Sequence, residues 1–457
     1  MMKTLLPFQA EMVPILADRN LLLADDCGLG KTIQAIEATK RYSEGPVLIV
    51  CPRNVKAWWA QEIRNQDAGV PDVCEAAGRG LHWTEMRPGK PLHYVIVHPE
   101  VLRYAAGELL KAVPWDWIVV DEAHRFKNRK AAQTKALWKL KSRRKTAMTA
   151  TPYGRHPGDM WALLRWLYPK KFRSYWGWYE KYVDSYQPRG KRYSIPRGPK
   201  NLRRMAKEIS HVYRRRTKDE VGLDLPPMTY ADVPVMIDGR TEELYRKLLV
   251  DMYAEIHGEE VIIENALTRV VRLHQAALDP SLLVDTGFMF PIGEVPPKVR
   301  WLEEWLDDHP NEPVILASRY RKFVERWLQG LAPSATIVGG MSQRQVQAAL
   351  AAFYDTGRLV GSLAAICEGL NLQMAATIIV TDGTWSPVQA YQLSQRIHRI
   401  GQTQPCQVIH LVGKLASGRQ PWTVDRLVRR AITRRMSEAA MVDEFVKDIL
   451  EGGDTSD

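Results

Sequence analysis

Short apolar runs, each followed by a stretch of helical periodicity, organise the first third of the chain. The runs are LLLA (21–24), VLIVCP (47–52), YVIVHP (94–99), WIVVDEAH (117–124) and TAMTATP (146–152). Near-continuous apolar runs mark strands buried on both faces, and strands alternating with helices make a parallel, doubly wound sheet. The rhythm fades over 153–290, which reads as mostly helical with a Gly- and Pro-rich basic loop at 187–201. It resumes after VPPK (295–298), with PVILAS (313–318), ATIVGG (335–340), GSLAAI (361–366), TIIVTD (377–382) and CQVIHLV (406–412) as strands. From about Thr423 one amphipathic helix is expected, basic at first and acidic at its end. The pattern predicts an α/β protein of two parallel-sheet lobes, 1–155 and 295–412. Basic helical insertions and a linker fill 156–294, and a helix with an acidic tail occupies 413–457. Ligands of such sheets sit beyond the carboxyl ends of the strands.

Composition narrows the class. No apolar stretch approaches the roughly 20 residues that span a bilayer, so no membrane association is expected. The short apolar run at the N-terminus is broken by Pro7, unlike a signal peptide. Cys27, Cys51, Cys74, Cys367 and Cys406 are scattered without a CxxC pair, which points to a reducing, cytoplasmic setting rather than a disulfide framework. The net charge of +12 is concentrated: residues 155–218 hold 18 Lys or Arg against 4 Asp or Glu, together with twelve aromatic rings. Such a segment suits a nucleic-acid backbone, with Lys191, Arg192, Arg214, Arg215 and Arg216 as candidate phosphate contacts. Its bland alternative is a solvated helical face over a local aromatic core.

Chemistry enters at Gly28, Leu29, Gly30, Lys31 and Thr32, between the strand LLLA and the helical stretch TIQAIEATKRY. Glycines let backbone N–H groups turn inward around phosphates at a helix N-terminus. Lys31 would neutralise the β- and γ-phosphates of ATP, and the Thr32 hydroxyl would ligate Mg2+. Asp25 replaces the usual first glycine of this loop. Asp121 and Glu122 end an apolar strand, where Asp121 can hold the metal and Glu122 can polarise the attacking water. His124 is read as a hydrogen-bonding link between lobes. Arg396 and Arg399, three apart, would share one helix face and stabilise charge on a γ-phosphate.

These blocks carry a family resemblance. DDCGLGKT, LIVCPRNVKAWWAQE, DEAHRFKN, TATPYGRHPGDMWALLRWLYP, YRRRTKDEVGLDLPP, EGLNLQMA and QRIHRIGQ occur in the order found in Swi/Snf-type ATPases of helicase superfamily two. The resemblance implies RecA-like lobes with helical protrusions, a C-terminal brace helix, and a DNA-dependent ATPase that tracks along double-stranded DNA without separating its strands. It further implies that Gln9 reads adenine, that Thr149, Ala150 and Thr151 couple hydrolysis to movement, and that Gln395 belongs to the second lobe's coupling motif. The segment Tyr175–Asn201 is similar to the fork-remodelling branch, which would make forked or branched DNA a partner. The brief flanks lead to the expectation of a bacterial or phage protein, and the resemblance implies a monomeric motor. With no nuclease signature in the sequence, any cutting would need a nuclease or other protein as partner. A strand-separating helicase and an ATP-binding DNA scaffold are the competing readings, and the acidic residues 438–457 are a candidate autoinhibitor.

Overall fold

The computed structural model describes residues 4–66, 73–75, 94–103, 110–111, 113–152, 156–190, 194–237, 239–250, 253–256, 259–262, 266–283, 295–333, 335–367, 369–416 and 422–434. Lys191, Arg192 and the acidic tail lie outside them. Two compact units divide in sequence between Asp224 and Leu225.

In the first unit a seven-stranded sheet runs in the order Val73–Glu75, Tyr94–Val97, Val47–Val50, Trp115–Val120, Ser142–Met148, Leu21–Leu23, Tyr213–Arg214. Every neighbouring pair is parallel. Successive side chains of a strand point to opposite faces, and both faces here are buried. Leu22, Leu48, Val50, Val95, Val97, Ile118 and Val120 enter one apolar cluster, shared with helix Trp161–Leu167. Leu21, Leu23, Val47, Ile49, Ile96, Trp117 and Val119 enter the other, against helices Pro7–Asp18, Lys31–Tyr42 and Lys56–Gln66. This two-sided burial is why the strands read as continuous apolar runs.

The second unit repeats the plan with six parallel strands: Met228–Ile237, Cys406–Leu415, Thr377–Val380, Val314–Ser318, Arg358–Ser362, Thr336–Ile337. Ile315, Ala317, Leu359, Ile378 and Val408 face helix Gln343–Thr356, while Val314, Leu316, Val360, Ile379 and Ile409 face helix Pro297–Asp308. Residues 424–434 are helical, with Val424, Val428 and Ile432 buried at a spacing of four.

Several expectations change. Residues 156–294, read as helical insertions, contribute Tyr213–Arg214 to one sheet and the ten-residue strand Met228–Ile237 to the other. That second strand lies at a sheet edge and is half-exposed, so its sequence MTYADVPVMI never forms an apolar run; Pro234, which has no N–H to donate, is tolerated at an edge. GSLAAI is displaced: the strand is Arg358–Ser362, and Leu363–Ile366 is a helical turn. The strand expected to stop at residue 412 continues to Leu415. Part of the basic loop 187–201 is an antiparallel strand, Ile195–Pro199, paired with Val183–Tyr186. Of the twelve rings in the basic segment, Trp161, Trp166, Phe172, Trp178, Tyr179, Tyr182 and Tyr213 are buried, so most of that aromatic content is local core.

Candidate active site

The nucleotide loop leaves the carboxyl end of Leu21–Leu23 and closes on the first turn of helix Lys31–Tyr42. Gly28 and Gly30 adopt φ of +91° and +75°, and Gly30 is the helix N-cap in the left-handed region. Torsion enforces the second glycine, and a Cβ on Gly30 would also lie 2.4 Å from Gln9 Nε2, displacing the end of that side chain. Gln9 is buried; its Nε2 donates to the Leu29 carbonyl (3.2 Å) and its Oε1 accepts from Leu6 N (3.0 Å). Gln34 Nε2 donates to the same Leu29 carbonyl at 3.0 Å. The loop backbone is thus pinned by two amides, one of them on the residue expected to read adenine. Lys31 Nζ donates to the main-chain carbonyls of Asp25 (2.6 Å) and Asp26 (3.0 Å). Thr32 follows on the same first helical turn.

Asp121 and Glu122 follow strand Trp115–Val120, two strands across the sheet from Leu21–Leu23. Asp121 Oδ2 accepts from Trp59 Nε1 (2.9 Å) and Oδ1 from the Glu122 amide (2.9 Å). Burial, then the Glu122 carboxylate, push the Asp121 carboxyl up to about 6, against the Trp59 donor and the Lys31 charge. A desolvated carboxylate crowded by a second one is a group whose charged form a cation restores. Together with the Thr32 hydroxyl it offers the hard oxygens that suit magnesium held chiefly by a substrate's phosphates.

Glu122 sits at φ +47°, a left-handed conformation rare for a side chain of its size and characteristic of functional turns. Its Oε2 lies 3.3 Å from His124 Nδ1, which lies 3.2 Å from Thr149 Oγ1. Thr149 Oγ1 in turn accepts from Thr151 N at 3.1 Å. His124, expected to link lobes, joins Glu122 to Thr149 within the first unit.

Arg214 lies in strand Tyr213–Arg214, and the next two arginines, expected to meet DNA, pair with carboxylates inside the unit. Arg215 Nη2 pairs with Asp26 Oδ1 at 3.0 Å and its Nη1 donates to the Ala150 carbonyl at 3.2 Å. Arg216 takes the fully buried Asp25 carboxylate and stacks over Phe8, 5.3 Å from the ring centre. A buried carboxylate without a cation would be costly, so the charge of Asp25 decides where Arg216 goes.

In the second unit Arg396 and Arg399 do come together, though not on a helix. Helix Pro387–Ser394 ends at Gln395, and the arginines lie on the turns beyond. Arg396 Nη1 and Arg399 Nη1 both donate to the Leu370 carbonyl, at 3.4 and 3.2 Å. Gln402 holds these turns: its Nε2 donates to Gln373 O, Ala375 O and Ile397 O, and its Oε1 accepts from Thr403 N and Gln404 N. Trp59, Gln34, Arg216 and Gln402 carry the geometry of the two sites without having been singled out as such. A tryptophan aimed at a carboxylate 62 positions away leaves no local signal, whereas Gln402 sat inside the quoted HRIGQ block.

Comparison with known proteins agrees with this geometry. Residues 12–282 match the SNF2-related domain, and residues 297–401 match the helicase conserved C-terminal domain. A protein named ATP-dependent DNA helicase DDM1 from Arabidopsis thaliana is 27% identical over 435 residues, covering 86% of this chain and 56% of its own length. A putative ATP-dependent helicase/translocase, YwqA from Bacillus subtilis, is 27% identical over 407 residues, 83% of this chain and 42% of its own. The chain thus spans about half the length of these relatives. A solved Sulfolobus solfataricus SWI2/SNF2 ATPase core in complex with dsDNA is 22% identical, covering 99% of this chain and 94% of that one, at a TM-score of 0.44. With the SNF2-related domain matched across more than half of its residues, and a helicase C-terminal domain following in order, the chain belongs to the SNF2-related family of helicase superfamily two.

Proposed function

We propose that the protein is an ATP hydrolase that moves along double-stranded DNA and remodels DNA or protein–DNA complexes without separating the strands. The observation that carries this reading is the convergence of Lys31, Asp121 and Glu122 at the carboxyl ends of one parallel sheet, in a chain of the SNF2-related family. Lys31 rests on two backbone carbonyls, a weak hold that a triphosphate outcompetes with full negative charge. Glu122, held by His124, orients and deprotonates the attacking water. Asp121 and Thr32 would hold Mg2+, which neutralises charge developing on the phosphates. Arg396 and Arg399 are proposed to stabilise the same transition-state charge. The names carried by the relatives, helicase and helicase/translocase, support an ATP-driven motor on DNA. A monomeric motor acting with a nuclease or other protein partner, in the cytoplasm, completes the proposal.

The test is ATP turnover by the purified protein alone and with blunt duplex, single-stranded, forked DNA or RNA, with Lys31→Ala as the control. Strong stimulation by blunt duplex, lost in Lys31→Ala, is expected, with duplex affinity retained in that variant. Stimulation by single strands or RNA alone would replace translocation by strand separation, and turnover unaffected by Lys31→Ala would refute the site.

A further inference from the structure

Where the strand Leu21–Leu23 ends, its backbone keeps its hydrogen-bonded partner. Leu22 N donates to Val212 O (2.7 Å), Ala24 N to Arg214 O (2.7 Å) and Asp26 N to Arg216 O (3.0 Å). The ladder thus runs past the sheet into the nucleotide loop, and brings Arg215 and Arg216 beside Asp25 and Asp26. Arg216 Nε lies 3.3 and 3.2 Å from the two Asp25 oxygens, its Nη2 also reaches Gln34 Oε1 (3.0 Å), and its Nη1 donates to the Phe8 carbonyl. One guanidinium therefore joins the loop, the helix that follows it and the helix that carries Gln9. Arg215 joins the loop, through Asp26, to the Ala150 carbonyl between Thr149 and Thr151.

The dipeptide Asp25–Asp26 is used twice. Its main-chain carbonyls hold the Lys31 ammonium, and its carboxylates hold the arginine pair. A nucleotide that draws Lys31 onto its phosphates frees those carbonyls, and any rotation of the peptide planes that follows is felt by the carboxylates on the same residues. Arg215 is the group positioned to pass that change to the coupling segment. Arg216 is anchored on too many partners to move with it, and sets the shape against which the loop works.

We propose that Arg215 and Arg216 are positioning residues of the nucleotide site: Arg216 fixes the loop for nucleotide binding, and Arg215 relays the loop's state to the segment 149–151. This rests on the reading that the loop binds ATP and that duplex DNA stimulates turnover. It replaces a DNA-contact role for the pair, because both guanidiniums are occupied within the unit. Eight residues after Arg216, at Asp224, the chain leaves the first unit, so the relay lies on the path of the connection itself.

Two readouts test it: affinity for a fluorescent ATP analogue, and the ratio of duplex-stimulated to DNA-free turnover. Arg215→Ala is expected to lower that ratio about fivefold or more while analogue affinity stays within about twofold. Asp26→Asn should lower the ratio likewise, and the double variant should be no worse than the worse single, as for two ends of one contact. Arg216→Lys keeps a cation for Asp25, so folding is protected, yet loses the fork; its analogue affinity should fall about tenfold. A purely structural pair predicts otherwise. Equal loss in both turnover rates for Arg215→Ala, additive losses in the double variant, or unchanged affinity in Arg216→Lys would overturn the proposal. A wild-type protein that binds the analogue but ignores duplex DNA would refute the translocase reading instead, and the Arg216→Lys affinity would still decide the loop-fixing role.

Discussion

Replacing Lys298 by Met probes the buried charge cluster that ties the C-terminal helix to the second unit. Lys298 is fully buried; its Nζ donates to Asp425 Oδ2 (2.7 Å) and to the Thr381 carbonyl (2.6 Å). Asp425, also buried, accepts in addition from Gly413 N (3.0 Å) and lies 3.5 Å from His274 Nε2. Burial would raise the Asp425 carboxyl, but Lys298, His274 and the Gly413 amide together hold it below its ordinary value. His274 is itself held below its ordinary value by burial, so it is a poor substitute cation at neutral pH. Methionine matches the lysine stem in shape and leaves the carboxylate bare. Breaking a buried pair on one side costs about 3–5 kcal/mol. For a unit of about 200 residues that lowers the melting temperature by roughly 6–20 °C.

The sign of the pH dependence follows. In the wild type the depressed carboxyl contributes stability above its unfolded value of about 4 and loses it as pH falls further. In Lys298→Met burial dominates and the carboxyl rises above that value, so the deficit is largest near neutrality and shrinks as pH falls. Adding Asp425→Asn removes the bare charge yet leaves an oxygen for Gly413 N–H, and should recover more than half of the loss. Calorimetry from pH 5 to 8 reads all three proteins. A loss under about 1 kcal/mol in Lys298→Met, or a double variant less stable than the single, would refute the account.

Three further outcomes are expected. Gly30→Ala forces a side chain into the left-handed region and against Gln9, so ATP affinity should fall at least about tenfold, and a wild-type dissociation constant would mean that the loop relaxes freely. Trp59→Phe removes a donor that stabilises the Asp121 carboxylate, which raises that carboxyl further; the acid limb of kcat/KM should move up by roughly half to one pH unit, and an unmoved limb would assign it to another group. Arg399→Ala should lower DNA-stimulated turnover by about 10³ with nucleotide and duplex affinities little changed, whereas near-normal turnover would leave the arginine with the task of holding the Leu370 carbonyl.

What was legible in the chain was whatever is encoded locally. Strands buried on both faces announce themselves as apolar runs, and Leu21–Leu23, Val47–Val50, Tyr94–Val97 and Thr377–Val380 lie within the runs that predicted them. A loop that must turn its N–H groups inward needs glycine at Gly28 and Gly30, and a carboxylate pair after a strand needs its place at the sheet's end. Met228–Ile237 was not legible, because an edge strand with one half-exposed face lacks that apolar signature. The helix expected to carry Arg396 and Arg399 failed for a related reason: the spacing of three is met equally by turns held from outside by Gln402.

By itself, then, the sequence determined the two-sheet α/β plan, the nucleotide loop and the carboxylates that face it. Tertiary structure alone decided which cation meets which anion. A run of three arginines reads as a phosphate contact until the fold lays Arg215 and Arg216 beside Asp26 and Asp25, about 190 positions away. Lys298 and Asp425, 127 positions apart, carry no mark of pairing until both are buried together. The reason is physical: backbone torsion and apolar periodicity act over a few residues, but a charge is assigned by the low-dielectric space it is folded into, and that space is made by segments distant in sequence.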